Sequence, residues 1–120
     1  LEPESKPFLI GYTEETKDII NKKTLEFFPP GAIITNSARG DMIDDEAMVQ
    51  ALINRKIYAI GLDVYNGEPN IHPGYLNQKN VFILPHLGSA TKKTRTAMGN
   101  LAIDNIVEFF DKGSCKNRVN

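Results

Sequence analysis

Three short apolar segments constrain the fold of this chain more than any other feature of its sequence. They occupy residues 32–36 (AIITN), 58–64 (YAIGLDV) and 81–84 (VFIL), and none alternates regularly with polar residues. Runs of this length and character are typical of strands covered on both faces of a parallel sheet. Helix-like segments at residues 44–55 and 91–112 follow the first and third runs. The sequence therefore predicts an α/β fold with a doubly wound parallel sheet.

Both helix-like segments carry terminal signals. The segment 44–55 begins with three acidic residues (DDE), which the positive amino end of a helix favours. The segment 91–112 is followed by Gly113, a common helix stop. We expect Met48 and Met98 to fill core space on the apolar stripes of these helices. The expected buried stripe of the first helix comprises Ala47, Met48, Ala51 and Leu52.

Weaker signals organise the remainder of the chain. A short strand is expected at residues 8–12, a helix turn from 13–16 (TEET), and a short helix at 21–28 that the following PPG stops. Residues 65–80 are expected to form a long loop with His72 on its surface.

Composition narrows the class of protein. The chain has 120 residues, is 41% hydrophobic and carries a formal net charge of −1, which suits one ordinary globular domain. This charge provides no basis for binding nucleic acid or an anionic membrane. No apolar run approaches the ~20 residues of a membrane span, and no signal peptide is recognisable. With its single cysteine, Cys115, the chain is expected to be soluble and cytoplasmic.

All three apolar runs end in polar clusters. They comprise residues 36–39 (NSAR), then Asp63 and Glu68, then His86 with Gly88 and Ser89. Because parallel strands end at one edge of a sheet, these clusters are expected at one rim. An arginine there can bind a carboxylate, and a histidine beside a carboxylate can exchange protons near neutral pH. The rim thus suits a small anionic substrate that gains or loses a proton.

Each of these residues also has an ordinary structural interpretation. Arg39 alone is typical of an exposed loop cation, Asp63 of a turn cap, and His86 of a hydrogen-bonded structural histidine. No nucleophilic serine or cysteine paired with a base is recognisable, and two histidines do not favour a zinc site. Of the kinds of chemistry considered, proton transfer coupled to an external cofactor remains.

The combination of motifs resembles a known family. Residues 36–41 (NSARGD), 61–69 (GLDVYNGEP) and 85–91 (PHLGSAT) are similar to the carboxyl-terminal part of D-isomer-specific 2-hydroxyacid dehydrogenases. The resemblance covers roughly residues 13–120, with three motifs in matching order and spacing. The segment 67–75 (GEPNIHPGY) is similar to the branch that handles glyoxylate, hydroxypyruvate and glycerate.

This resemblance implies roles for individual residues. Arg39 would bind the substrate carboxylate, His86 would be the proton donor and acceptor, and Glu68 would pair with His86 and hold its tautomer. Asp63 would hydrogen-bond the carboxamide of a nicotinamide cofactor, NAD or NADP. The implied cofactor-binding residues are Ser37, Ala38, Arg39, Asp63, Gly88 and Ser89. The implied partners are a small 2-oxo or 2-hydroxy acid and a second copy of the full-length protein in a homodimer.

The chain also departs from the family pattern. It contains no G-x-G-x-x-G turn for the cofactor pyrophosphate. We therefore expect a carboxyl-terminal fragment that is inactive alone. Residues 1–12 would be a tail and divergent strand, 13–90 the second half of a Rossmann-type dinucleotide-binding domain, and 91–120 a helix and tail that return to a missing substrate domain. The apolar stripe of that helix would then be exposed; it comprises Met98, Leu101, Ala102, Ile106, Phe109 and Phe110.

Two alternatives belong to other classes. One is a non-catalytic, nucleotide-sensing module similar to corepressor relatives of the family. The other is a phosphoacceptor receiver domain, which the sequence disfavours because His86 stands where a receiver would have a lysine.

Overall fold

The structure, a computed structural model, describes residues 11–119. These residues fall into two compact units that divide between His86 and Leu87. In chain order the elements are α1 (Lys22–Leu25), β1 (Ala32–Asn36), a 3₁₀ turn (Gly40–Met42), α2 (Asp45–Ile53), β2 (Ile57–Leu62), α3 (Pro73–Leu76), β3 (Val81–Ile83) and α4 (Lys92–Lys112).

The three strands form a parallel sheet in the order β1-β2-β3. Ile60 in the central strand is aligned with Ile34 on one side and Val81 on the other. The carboxyl ends of the strands therefore share one edge of the sheet, and the α/β class and parallel sheet are confirmed.

Helix α2 and strand β2 form the core of the first unit. Asp44 caps α2 by accepting a hydrogen bond from Ala47 N, at 3.1 Å. The predicted stripe is confirmed at Met48, Ala51 and Leu52, whereas Ala47 is only half-buried. The core cluster comprises Leu25, Ile43, Met48, Val49, Ala51, Leu52, Ile57, Ile60, Leu62 and Tyr75.

The opposite face of the sheet is exposed in this unit. Ile33, Tyr58 and Phe82 are 65%, 64% and 66% exposed. The expectation of strands covered on both faces is therefore wrong for the described residues. The buried side chains of β2 pack with α2 on one side, and side chains of alternate orientation point away from that core.

The second unit contains α4. Thr91 Oγ1 accepts a hydrogen bond from Thr94 N at the start of this helix, and Gly113 ends it in the left-handed conformation at φ 71°. The predicted bounds are confirmed, but no residue of α4 is buried. Met98 is 57% exposed, so its predicted place in a core is wrong, whereas the predicted exposed stripe is confirmed. Within residues 11–119, no helix is both long and apolar enough to span a bilayer.

Three of the weaker predictions can be compared with the structure. Residues 8–10 of the predicted first strand lie outside the described residues, and Gly11 and Tyr12 are not in a strand. The predicted turn after Thr13 is present, since Thr16 N and Lys17 N both donate to Thr13 O. The helix predicted at 21–28 is only the single turn α1.

Candidate active site

Asn36 organises the loop that follows β1. Its side chain is buried, with Nδ2 donating to Arg39 O at 2.8 Å and Oδ1 accepting from Ala38 N at 3.0 Å. Its backbone oxygen accepts a hydrogen bond from Asp63 N at 2.9 Å. An asparagine amide can replace the backbone partners that a tight turn lacks. The loop carrying Arg39 is thereby attached to the end of β2.

Arg39 presents an exposed guanidinium in this loop. Its Nη1 donates to Ala38 O at 2.6 Å, while Ser37 beside it is exposed and Ala38 is half-buried. A guanidinium carries five N–H donors in a planar fork that matches a carboxylate. Arg39 can therefore bind an anionic ligand at this rim.

Glu68 and His86 form a close ionisable pair in the first unit. Glu68 Oε2 lies 2.9 Å from His86 Nδ1, and Glu68 Oε1 accepts a hydrogen bond from Tyr65 N at 3.1 Å. The hydrogen bond to His86, followed by that to Tyr65 N, holds the pKa of Glu68 below its ordinary value. The negative charge of Asp63 acts in the opposite direction and raises this pKa.

This pairing fixes the tautomer of His86. An ionised carboxylate only accepts hydrogen bonds, so the ring must carry its proton on Nδ1. Nε2 is then the nitrogen that can gain or release a proton. The side chain of His86 is 49% exposed, so a substrate can reach it.

The backbone of His86 is itself unusual. It has φ 55°, in the left-handed region that residues with a side chain seldom adopt. Non-glycine residues in such conformations cluster at functional sites. Nothing in the sequence pattern indicates this conformation.

The other predicted site residues are placed as follows. Asp63, half-buried, follows β2 and lies close enough to Glu68 for its charge to act there. Gly88 and Ser89 are exposed residues of the second unit. Among residues 11–119, no cluster of three or more His, Cys, Asp or Glu side chains could hold a metal ion.

Sequence reasoning missed a second polar cluster, which Tyr75 forms with Asp45. The hydroxyl of Tyr75, itself 1% exposed, donates to Asp45 Oδ1 at 2.9 Å. Burial raises the pKa of both Asp45 and Tyr75. The cluster attaches the predicted loop 65–80 to the amino end of α2.

The predictions for His72 and its loop are wrong. The loop contains α3, and His72 is a half-buried cap whose Nδ1 accepts from Gly74 N at 3.2 Å. The signal was available, because a polar residue directly before Pro73 is typical of a helix start.

Comparison with known proteins places this geometry in a family. The family described as "D-isomer specific 2-hydroxyacid dehydrogenase, NAD binding domain" matches residues 8–88. A glycerate dehydrogenase from Hyphomicrobium methylovorum is 44% identical over 98 residues, which cover 82% of this chain and 30% of that protein.

Solved structures agree with this match. A glyoxylate reductase from Paecilomyes thermophila has a TM-score of 0.84 at 37% identity, covering 92% of this chain and 34% of that one. An NADPH-dependent glyoxylate/hydroxypyruvate reductase from Sinorhizobium meliloti, in complex with NADP and malonate, has a TM-score of 0.84 at 36% identity, with coverages of 90% and 34%. The chain spans about a third of the length of these relatives. By their descriptions these relatives are dehydrogenases or reductases.

Proposed function

This chain belongs to the D-isomer-specific 2-hydroxyacid dehydrogenase family, and from that membership we propose that it carries the acid/base and carboxylate-binding residues of an NAD(P)-dependent oxidoreductase. The reaction would move a hydride between the nicotinamide and a small 2-oxo or 2-hydroxy acid. The observation that carries the proposal is the 2.9 Å contact between Glu68 Oε2 and His86 Nδ1.

His86 would move the proton. With Nδ1 held by Glu68, its Nε2 would donate a proton to the carbonyl oxygen in reduction and accept it from the hydroxyl in oxidation. Glu68 would keep the ring in the tautomer that this transfer requires, and would stabilise the imidazolium that forms in the oxidation direction.

Arg39 would bind the substrate carboxylate. A guanidinium beside the reacting carbonyl would also stabilise negative charge that develops on its oxygen. Asn36 supports this role because it anchors the loop backbone at Ala38 and Arg39.

The rim fits the nicotinamide end of the cofactor. The carboxylate of Asp63 can accept a hydrogen bond from the carboxamide, and Ser37 and Ala38, beside Arg39, would lie against the cofactor. We assign Gly88 and Ser89 to the same cofactor. When bound, the cofactor supplies or accepts the hydride.

Glyoxylate, hydroxypyruvate or glycerate is the proposed substrate class. The named relatives act on glycerate, glyoxylate or hydroxypyruvate by their descriptions, and one is NADPH-dependent. NAD and NADP both remain candidate cofactors.

We further propose the domain organisation of the whole protein. Residues 1–12 would be a tail and divergent strand, and residues 13–90 would form the second half of a dinucleotide-binding domain. Residues 91–120 would return to a substrate domain, where the exposed apolar stripe of α4 would be covered. The whole protein would be a cytoplasmic homodimer, and a monomer in sedimentation at micromolar concentration would refute that state.

The test uses the complete product of the reading frame that encodes this sequence. Oxidation of NADH and NADPH is followed with glyoxylate and with hydroxypyruvate, beside the 120-residue chain alone. We expect turnover by the complete protein and none by the isolated chain. A folded complete protein that oxidises neither cofactor with either acid would refute the proposed reaction.

A further inference from the structure

Gly40 lies where two functional loops approach each other. It directly follows Arg39 and begins the 3₁₀ turn Gly40–Met42. A Cβ atom at position 40 would overlap the carbonyl group of Tyr65 and the amide nitrogen of Asn66. Because these are backbone atoms, no side-chain rotation could relieve the overlap. Only glycine allows the two backbones to lie this close.

Tyr65, whose carbonyl group lies against Gly40, also holds Glu68 through its own backbone N–H. Tyr65 N donates to Glu68 Oε1 at 3.1 Å, and Glu68 Oε2 lies 2.9 Å from His86 Nδ1. A continuous series of contacts therefore runs from the neighbour of Arg39, through the Tyr65 backbone, to His86.

Resting on the function proposed above, we propose that Gly40 is a positioning residue that sets the Glu68–His86 pair relative to Arg39. Its missing side chain lets the loop that binds the carboxylate lie directly on the segment that orients the acid/base pair. Catalytic groups must be held to within a fraction of an ångström of their productive geometry. A side chain at position 40 would displace residues 65–66 and, with them, Glu68.

The titration of Glu68 reports this displacement without any substrate. Among residues 11–119, two charged groups act on Glu68: His86, which lowers its pKa, and Asp63, which raises it. The Tyr65 N–H hydrogen bond also lowers this pKa. Displacement of the Tyr65 backbone weakens that bond without removing either charged group.

The experiment compares Gly40→Ala with Gly61→Ala in this chain. Gly61 is a matched control in β2, since a Cβ there would meet only Thr35 Cγ2, at an ordinary 3.5 Å. The Glu68 carboxyl is titrated by ¹³C NMR and assigned with Glu68→Gln. We expect Gly40→Ala to raise the pKa of Glu68 towards its ordinary value and Gly61→Ala to leave it unchanged. Equal values in folded Gly40→Ala and the unsubstituted chain, or equal shifts in both variants, would overturn the proposal.

If Gly40→Ala does not fold, two measurements on the unsubstituted chain still test the proposal. We expect a nuclear Overhauser effect between the Gly40 Hα protons and the Asn66 amide proton. We also expect the chemical shift of the Tyr65 amide proton to change with pH at the same midpoint as the Glu68 carboxyl. Absence of either signal would overturn the proposal.

The Glu68 titration and the turnover assay test the positioning role of Gly40 and the proposed reaction separately. The Glu68 titration requires no turnover, so a protein without hydride transfer could still show the Gly40 effect. Conversely, turnover by the complete protein with no Gly40 effect would refute only the positioning role.

Discussion

Glu68 and His86 lie 18 positions apart in the chain, yet Glu68 Oε2 is 2.9 Å from His86 Nδ1. His86 lies in the segment after β3, and Glu68 lies in the segment after β2. Parallel strands bring these two segments to the same edge of the sheet, so the topology creates the pair.

Replacing Glu68 with glutamine should slow turnover by the complete protein. The amide keeps the shape of the side chain but cannot stabilise the imidazolium, and its NH₂ group can hold the ring in the other tautomer. We expect kcat/KM for hydroxypyruvate reduction to fall on the order of 10- to 100-fold, with cofactor affinity unchanged. Steady-state kinetics and cofactor titration measure the two quantities. Unchanged kcat/KM would exclude an orienting role for Glu68.

Replacing His86 with asparagine should raise the pKa of Glu68. Asparagine tolerates the left-handed backbone of residue 86 and removes the imidazolium. Since the lowered pKa of Glu68 stabilises the folded state above its unfolded pKa, that stability is lost as pH falls through the folded value. The stability difference between the unsubstituted chain and the variant should therefore shrink on acidification below about pH 4.5. Urea unfolding from pH 3 to 6 tests this, and a difference independent of pH would contradict it.

Asp45 should show the opposite pH dependence. Burial raises its folded pKa, so its protonated form is favoured in the folded state. This contribution to stability is fully present below the unfolded pKa and is lost as pH rises through the folded value. Relative to Asp45→Asn, the unsubstituted chain should thus gain stability as pH falls. Chemical denaturation of both chains measures the trend, and a gain on raising the pH would contradict the assigned burial effect.

Replacing Asn36 with alanine should destabilise the first unit. The substitution leaves Arg39 O and Ala38 N without their side-chain partners beside a buried position. We expect a loss of about 2 kcal/mol in the free energy of unfolding. In the complete protein, KM for the acid should also rise because the Arg39 loop is released. Thr35→Ala, at an exposed neighbouring position outside the proposed site, is the control, and equal effects of the two substitutions would contradict the anchoring role.

Much of the sheet could be predicted because its strands have a simple sequence pattern. The apolar runs 32–36, 58–64 and 81–84 identified β1, β2 and β3. The same pattern could not show that one face is exposed. Ile33 and Phe82 are as apolar as buried residues, and coverage depends on which helices are available to pack there.

Less of the candidate site could be predicted from the sequence. Its rim location followed from topology, but the Glu68–His86 pairing came from family resemblance, because a sequence separation of 18 residues is compatible with many geometries. The roles of Tyr65 and Gly40 depend on a backbone contact that no residue pattern encodes. The Asp45–Tyr75 hydrogen bond, 30 positions apart, was missed for the same reason.

The most direct test of the central proposal is kcat/KM for hydroxypyruvate reduction by the complete protein and by its His86→Asn variant. Asparagine accommodates the backbone of residue 86 but cannot supply the proton. We expect the variant to lose about 10²- to 10⁴-fold in kcat/KM while binding NADH or NADPH as tightly as before. A folded variant within a few-fold of the unsubstituted protein would show that His86 is not the proton donor.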